Sequence, residues 1–208
     1  MRFEPLSPDR LAERVVDLVL ARPADDRIAV AVDGAPGAGG PELAAAVAAA
    51  LPGHGREALV VSTDDFLRPA SLRLEYGRED PDVFYDEWLD VRALYREVFD
   101  PIAPGGTGRV LPRYWNAETD RSARAEYAQL GPGAVVIVVG GLLLGRWLPF
   151  DVSVHLWLSP AALARRTPAG QAWTLPAYAR YEDEADPSGT ADLTARMDDL
   201  RHPAVLSS

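Results

Sequence analysis

Residues 34–41, "GAPGAGGP", follow the apolar run "RIAVAV" (27–32) and Asp33, and precede an alanine-rich stretch. A strand, a glycine-rich turn and a helix start together make an anion site. Backbone N–H groups point at the ligand, and the helix dipole favours negative charge. A phosphate-binding loop reads G-x-x-x-x-G-K-[ST], with lysine on the outer phosphates and a hydroxyl on magnesium. Gly34, Gly37 and Gly39 keep this register, and Ala35, Pro36 and Ala38 fill variable positions. Gly40 stands at the lysine position and Pro41 at the hydroxyl position. Gly40 brings no side chain, and Pro41 lacks even a backbone donor. A tight turn without a ligand explains the stretch equally well.

Three further groups carry candidate chemistry. In "VSTDDFLRP", Asp64 and Asp65 follow a strand end, where a carboxylate can face a ligand cleft and accept a hydroxyl proton. Aspartates at such a place also serve as caps or turns. "EDPDVFYDEW" and "LPRYWNAETDR" mix rings with acids, suiting a base or sugar pocket as well as ordinary loop packing. Arg165, Arg166 and Arg180 follow a late strand and could clamp phosphates, or be solvated helix residues.

The elements that must position these groups alternate. Residues 7–21 predict an amphipathic helix capped by Ser7, with Pro8 at its first position. Strands are expected at 27–32, near 57–62, at 133–141 and at 151–159, and a last one at 191–197. Helices are expected over 41–51, over 85–102, from Ser159 onward and over 174–186; 104–122 is irregular with room for a hairpin. "GAVVIVVGG" is apolar throughout, as a parallel strand covered on both faces must be. The alternation predicts an open α/β sheet with helices on both faces and ligands beyond the C-terminal strand ends. The glycine loop, Asp64 and the segment after Val139 all lie at such ends.

The 208 residues fit one domain, and 48% hydrophobic content is ample for its core. No cysteine is present, which excludes disulfides and thiolate sites. A net charge of −10 argues against a general nucleic-acid binder. Every basic residue apart from histidine is arginine, so no other lysine can supply the missing one. The N-terminus does not read as a signal peptide, and the longest apolar run, 12 residues, is too short for a membrane span. A cytoplasmic protein with no membrane or nucleic-acid partner is expected; homo-oligomer formation stays open.

The order of segments resembles the uridine kinase family of P-loop kinases, and more closely the uridine-kinase-like proteins of actinobacteria, over about residues 27–203. "VSTDDFLRP" is similar to the family's Ser-x-Asp-(Asp/Ser)-Phe segment, which implies Asp64 as catalytic base on a nucleoside hydroxyl, with Asp65 and Phe66 beside it. "DPDVF" resembles His-Pro-Asp-x-Phe, with Asp80 at the histidine position and Asp82 and Phe84 retained. "LPRYWNAETDR" resembles Pro-x-Tyr-Asp-x-x-x-His-x-Arg through Pro112, Tyr114 and Arg121, with Trp115 and Thr119 at the other two positions. Gly140 stands where the family has an acid after the third strand, and "LARR" resembles the lid entry. A single 1–208 domain is expected, with an N-terminal helix at 1–26, and the resemblance implies a P-loop NTPase-type three-layer fold, a parallel central sheet with helices on both faces. It also implies a nucleoside-side insertion at about 66–130, a lid-like segment at about 165–187, and ATP and Mg²⁺ as cofactors if the protein is active.

The departures fall together on the phosphate side. Removing one preorganised electrostatic contact costs on the order of 10²–10³ in rate. Three would approach roughly 8 kcal/mol if additive, and less for groups that act as a unit. The expected function is therefore a degenerate nucleoside-kinase-like protein that binds a nucleoside or nucleotide, with weak or no phosphoryl transfer and no metal ligand assigned. The alternatives are an active nucleoside or small-hydroxyl kinase in which lid arginines replace the lysine, and a non-catalytic interaction protein.

Overall fold

A computed structural model describes residues 2–207. Ser7 accepts a hydrogen bond from the Arg10 amide and starts α1 (Pro8–Leu20), whose Leu11, Val15 and Val19 are buried along one stripe. β2 (Ile28–Gly34) follows β1 (Arg2–Pro5), and the glycine loop leads into α2 (Gly40–Ala50). β3 (Ala58–Ser62) ends in a single 3₁₀ turn over Thr63–Phe66, and the Ser62 hydroxyl accepts from the Asp64 amide.

The expected helix over 85–102 is two pieces. The first, α4 (Pro81–Glu87), is preceded by one turn, α3 (Ala70–Arg73), and capped by Asp80. The chain then straightens at Leu89, which bridges Leu67, and Asp90 caps a fresh start at α5 (Val91–Leu94). A π-helical stretch over Tyr95–Phe99 continues into α6 (Asp100–Ile102). A cap-forming aspartate inside an apolar periodicity is what splits the run. The irregular region holds two small ribbons. β4 (Arg109–Val110) pairs with β7 (Ala128–Gln129), and β5 (Trp115–Asn116) pairs with β6 (Arg121–Ser122) as the expected hairpin.

The remaining elements are β8 (Val135–Gly140), β9 (Val152–Trp157), α7 (Pro160–Arg166), α8 (Leu175–Ala185), α9 (Pro187–Thr190), β10 (Leu193–Arg196) and β11 (Ala204–Ser207). The sheet order is β1-β11-β10-β9-β2-β8-β3. The five strands from β10 to β3 run parallel, and β11 and β1 close one edge antiparallel. That edge pair is absent from the sequence expectations, and β1 takes residues that were expected in the 1–26 helix: β1 (RFEP) mixes Arg, Glu and Pro, and β11 (AVLS) is only four residues long, so neither shows a clear alternation.

Both faces of the sheet are covered. Val135, Ile137 and Val139 pack with α1 and α2, whereas Val136 and Val138 pack with Phe66, Leu94 and Val98 on the other side. This two-sided burial is why β8 reads as a continuous apolar run. At the far end of the sheet, Arg56 is only 4% exposed and donates to the carbonyls of Gly133, Val19 and Asp26. It ties α1, β2 and β8 together where their backbones would otherwise leave buried acceptors unpaired. Arg56→Met is expected to cost at least about 2 kcal/mol, since several carbonyls lose a charged donor at once. Urea unfolding should show the lower midpoint with an unchanged slope.

Candidate active site

The C-terminal ends of β2, β8 and β3 lie side by side, with Asp33 opposite Gly140 and Ser62 opposite Val139. The glycine loop leaves β2 and turns at Gly37 and Gly39, with φ of 82° and 87°, conformations that favour glycine. Gly39 caps α2 without a side chain, and Glu42 occupies the first turn. A carboxylate there already takes the interaction with the helix dipole that an anion would use. A Cβ at Gly40 would lie 3.1 Å from Val139 Cγ2, so a lysine at this position would press on β8.

Arg166 crosses the loop from α7. Its stem lies over Gly37, and its guanidinium donates to the carbonyls of Gly37, Met197 and Asp198 at 2.9–3.0 Å. Leu200 and Met197 cover Gly39. Arg180 is held by Asp82, Asp86 and Glu184 and lies over the Tyr85 ring, so these carboxylates keep its charge firmly on. Arg165 is exposed.

At the end of β8 the place of an acidic side chain is filled. A Cβ on Gly140 would sit 1.8 Å from Thr63 Oγ1 and 2.7 Å from Thr63 Cβ. The threonine itself is buried. The glycine is therefore a packing requirement of the Thr63 turn.

Beside this turn lies a cavity of about 370 Å³, bounded by Asp64, Phe84, Trp88, Arg146, Trp173 and Tyr178. Phe84 is its hub, meeting Trp88, Trp173 and Tyr178 edge-on with ring centroids 5.1–6.0 Å apart. Asp64 keeps an exposed edge at the mouth. The protein mass around its carboxyl, and secondarily Asp65, raises its pKa above the usual range. Burial likewise pushes the Tyr178 phenol up and lowers the Arg146 guanidinium. Arg146 donates to the carbonyls of Leu142 and Tyr85, which fixes it in the wall.

The cavity collects Pro36 of the glycine loop, Asp64 and Phe84 from the expected residues and leaves the others outside its lining. Asp65 pairs with Arg113, and Phe66 is fully buried and stacked on Tyr114. Asp82 is exposed beside Arg180, and Arg121 is exposed on β6. Trp88 belongs to the ring-and-acid segment "EDPDVFYDEW" that suits a base or sugar pocket, whereas Arg146, Trp173 and Tyr178 carry no such sequence signal. Trp88 and Tyr178 fall on helical spacings that read as packing, and no local pattern marks Arg146.

Behind the cavity Asp33 is fully buried. It accepts from the Leu143 amide at 2.9 Å, His155 Nδ1 at 2.6 Å and the Tyr181 hydroxyl at 2.9 Å. Tyr181 in turn accepts from the Leu144 amide. Burial opposes charge on His155, yet the hydrogen bond to Asp33 and the nearby Glu182 outweigh it and carry the imidazole up to about 9.

No family model matches the chain, and no curated protein matches it. Solved structures do. A possible uridine kinase from Bacillus stearothermophilus superposes with a TM-score of 0.69 at 21% identity, over 88% of this chain and 96% of that one. A provisionally assigned fructose transport system kinase from Silicibacter sp. TM1040 gives 0.59 at 25% identity, covering 91% and 98%. D-glycerate 3-kinase from Cryptococcus neoformans var. grubii serotype A gives 0.55 at 16% identity, covering 85% and 80%. The chain has a P-loop NTPase-type α/β fold, like these kinases.

Two predictions follow from this geometry. Gly140→Ala should destabilise the fold by about 1–3 kcal/mol or more through overpacking, and Thr63→Gly in the same chain should recover part of that loss. A double-mutant cycle measures the coupling. The second concerns pH. A histidine raised from 6.5 to about 9 contributes stability that is fully present below about pH 6.5 and is lost as pH rises through 9. Denaturation midpoints of the wild type should fall across this window, and those of His155→Gln should stay flatter.

Proposed function

We propose that this chain is a degenerate nucleoside-kinase-like protein, binding a nucleoside or nucleotide in the Asp64 cavity and transferring phosphoryl groups weakly or not at all. The observation that carries this reading is Arg166 lying across the glycine loop with three of its donors on backbone carbonyls, one of them in the loop itself. The lid-side arginine nearest to a vacant lysine's role is already bonded to the loop. Arg180 is engaged by three carboxylates.

The residues at the loop do not fit a magnesium-bound triphosphate. Gly40 and Pro41 offer neither ammonium nor hydroxyl, and Asp33 is consumed by its three donors. Among the described residues no cluster of three or more His, Cys, Asp or Glu could hold a metal. The acceptor side keeps its chemistry. Phe84, Trp88 and Trp173 offer ring surfaces to a base, worth on the order of 1–3 kcal/mol per stacked base. The Asp64 carboxylate accepts a sugar hydroxyl hydrogen, and its raised pKa suits it to hold a proton.

A second reading, a working kinase with a rebuilt phosphate site, is favoured by that same Asp64 and by the kinase neighbours. Calorimetry with uridine alone and with ATP/Mg²⁺ alone separates the two. Uridine should bind without ATP, Phe84→Ala should weaken it about tenfold or more, and ADP release should stay at the buffer level. Turnover of uridine or cytidine that Asp64→Asn abolishes would overturn the first reading in favour of the second. Thermal shifts with no response to any nucleoside or nucleotide would overturn both and point to an interaction protein.

A further inference from the structure

A second cavity, of about 530 Å³, opens between the end of β9, α7 and α8. Leu158, Leu163, Leu175 and Tyr178 give it an apolar lining, and His155 and Glu182 form one polar corner. An apolar slot with a few convergent polar groups is the usual form of a small-molecule site. Tyr178 and Leu142 line both this slot and the Asp64 cavity, so the two lie back to back.

His155 supplies the independent sign of a ligand. The side chain is 3% exposed. Its Nδ1 is satisfied by Asp33, but its Nε2 is buried and has no hydrogen-bond partner. Glu182 Oε1 lies 3.3 Å from Nε2, near enough for an ion pair and out of line for a hydrogen bond. A buried donor left in this state is costly unless something completes it. The Glu182 side chain is 39% exposed and lines the slot, so its carboxylate is reachable by a ligand there.

We propose that this slot binds a small, largely apolar ring compound whose edge carries a carbonyl next to an N–H, the lactam class. The carbonyl accepts from His155 Nε2, and the N–H donates to Glu182. The buried Asp33 carboxylate 2.6 Å from Nδ1 favours the protonated imidazole, so Nε2 presents a donor to the slot. Asp33, His155 and Glu182 together carry one net negative charge, which disfavours an anionic ligand; a neutral lactam satisfies both open groups without adding charge. The remainder of the ring buries against Leu163, Leu175 and Tyr178.

The probe is 1-isoquinolinone, titrated into the full chain by ligand-observed NMR, with isoquinoline as the analogue lacking both edge groups. The lactam should bind saturably and about tenfold more tightly than isoquinoline. Glu182→Ala should weaken it about tenfold. Ala179→Trp, which fills the slot from an exposed position on α8, should abolish it, with circular dichroism confirming that both variants fold. Asp64→Asn should leave it unchanged, so this result stands or falls apart from nucleoside binding. Absent saturation, equal affinity for isoquinoline, binding retained in Ala179→Trp, or loss in Asp64→Asn would each overturn the assignment.

Discussion

The Asp33 carboxylate is the point on which the C-terminal end of the sheet depends. It sits where β2 gives way to the glycine loop and is reached by three donors from three other parts of the chain. The Leu143 amide fixes the segment after β8, His155 fixes the end of β9, and Tyr181 fixes α8. A fully buried charge is tolerable only when paired and hydrogen-bonded, and here every partner is also a structural tie. Leu142, held at φ 60°, is one consequence: the chain accepts a strained residue so that Leu143 and Leu144 can aim their amides at Asp33 and Tyr181.

The same arrangement sets the glycine loop against the Asp64 cavity, which the loop meets at Pro36. At the loop, groups that would face a ligand in an anion-binding turn are directed inward or covered. Asp33 is internal, Arg166 binds the loop's own Gly37 carbonyl, and Glu42 stands at the helix start. The cavity remains open, ringed by aromatics and flanked by one carboxylate and one guanidinium. The loop keeps its turn because Pro41 suits the first helical turn and glycines suit the positive φ values. Shape and charge placement are thus independent properties of this segment.

Much of the fold was legible because its signals are local. Ser7 and Ser159 announce their helices, and the uninterrupted valines of β8 announce a strand covered on both faces, whereas the Asp80 cap of α4 went unread. The break between α4 and α5 was missed because Trp88, Val91 and Leu94 keep a helical period across Asp90, whose capping bond needs three-dimensional context. At the site, Asp64 was identifiable from its place after a strand, and Phe84 only through the resemblance. Trp173 and Arg146 join the cavity from 89 and 62 residues beyond Phe84 by the difference of their numbers, a proximity created by packing alone. Tyr114 and Phe66 look like ligand-facing rings in sequence and pair with each other instead.

The contact between Thr63 and Gly140 also constrains the history open to this sequence. With the threonine in place, any side chain at 140 meets it at covalent-like distance. A path that introduces an acid there must first shrink residue 63, so the two positions are epistatically coupled: the order of substitutions matters, and the first step loses the Thr63 packing before the second can gain anything.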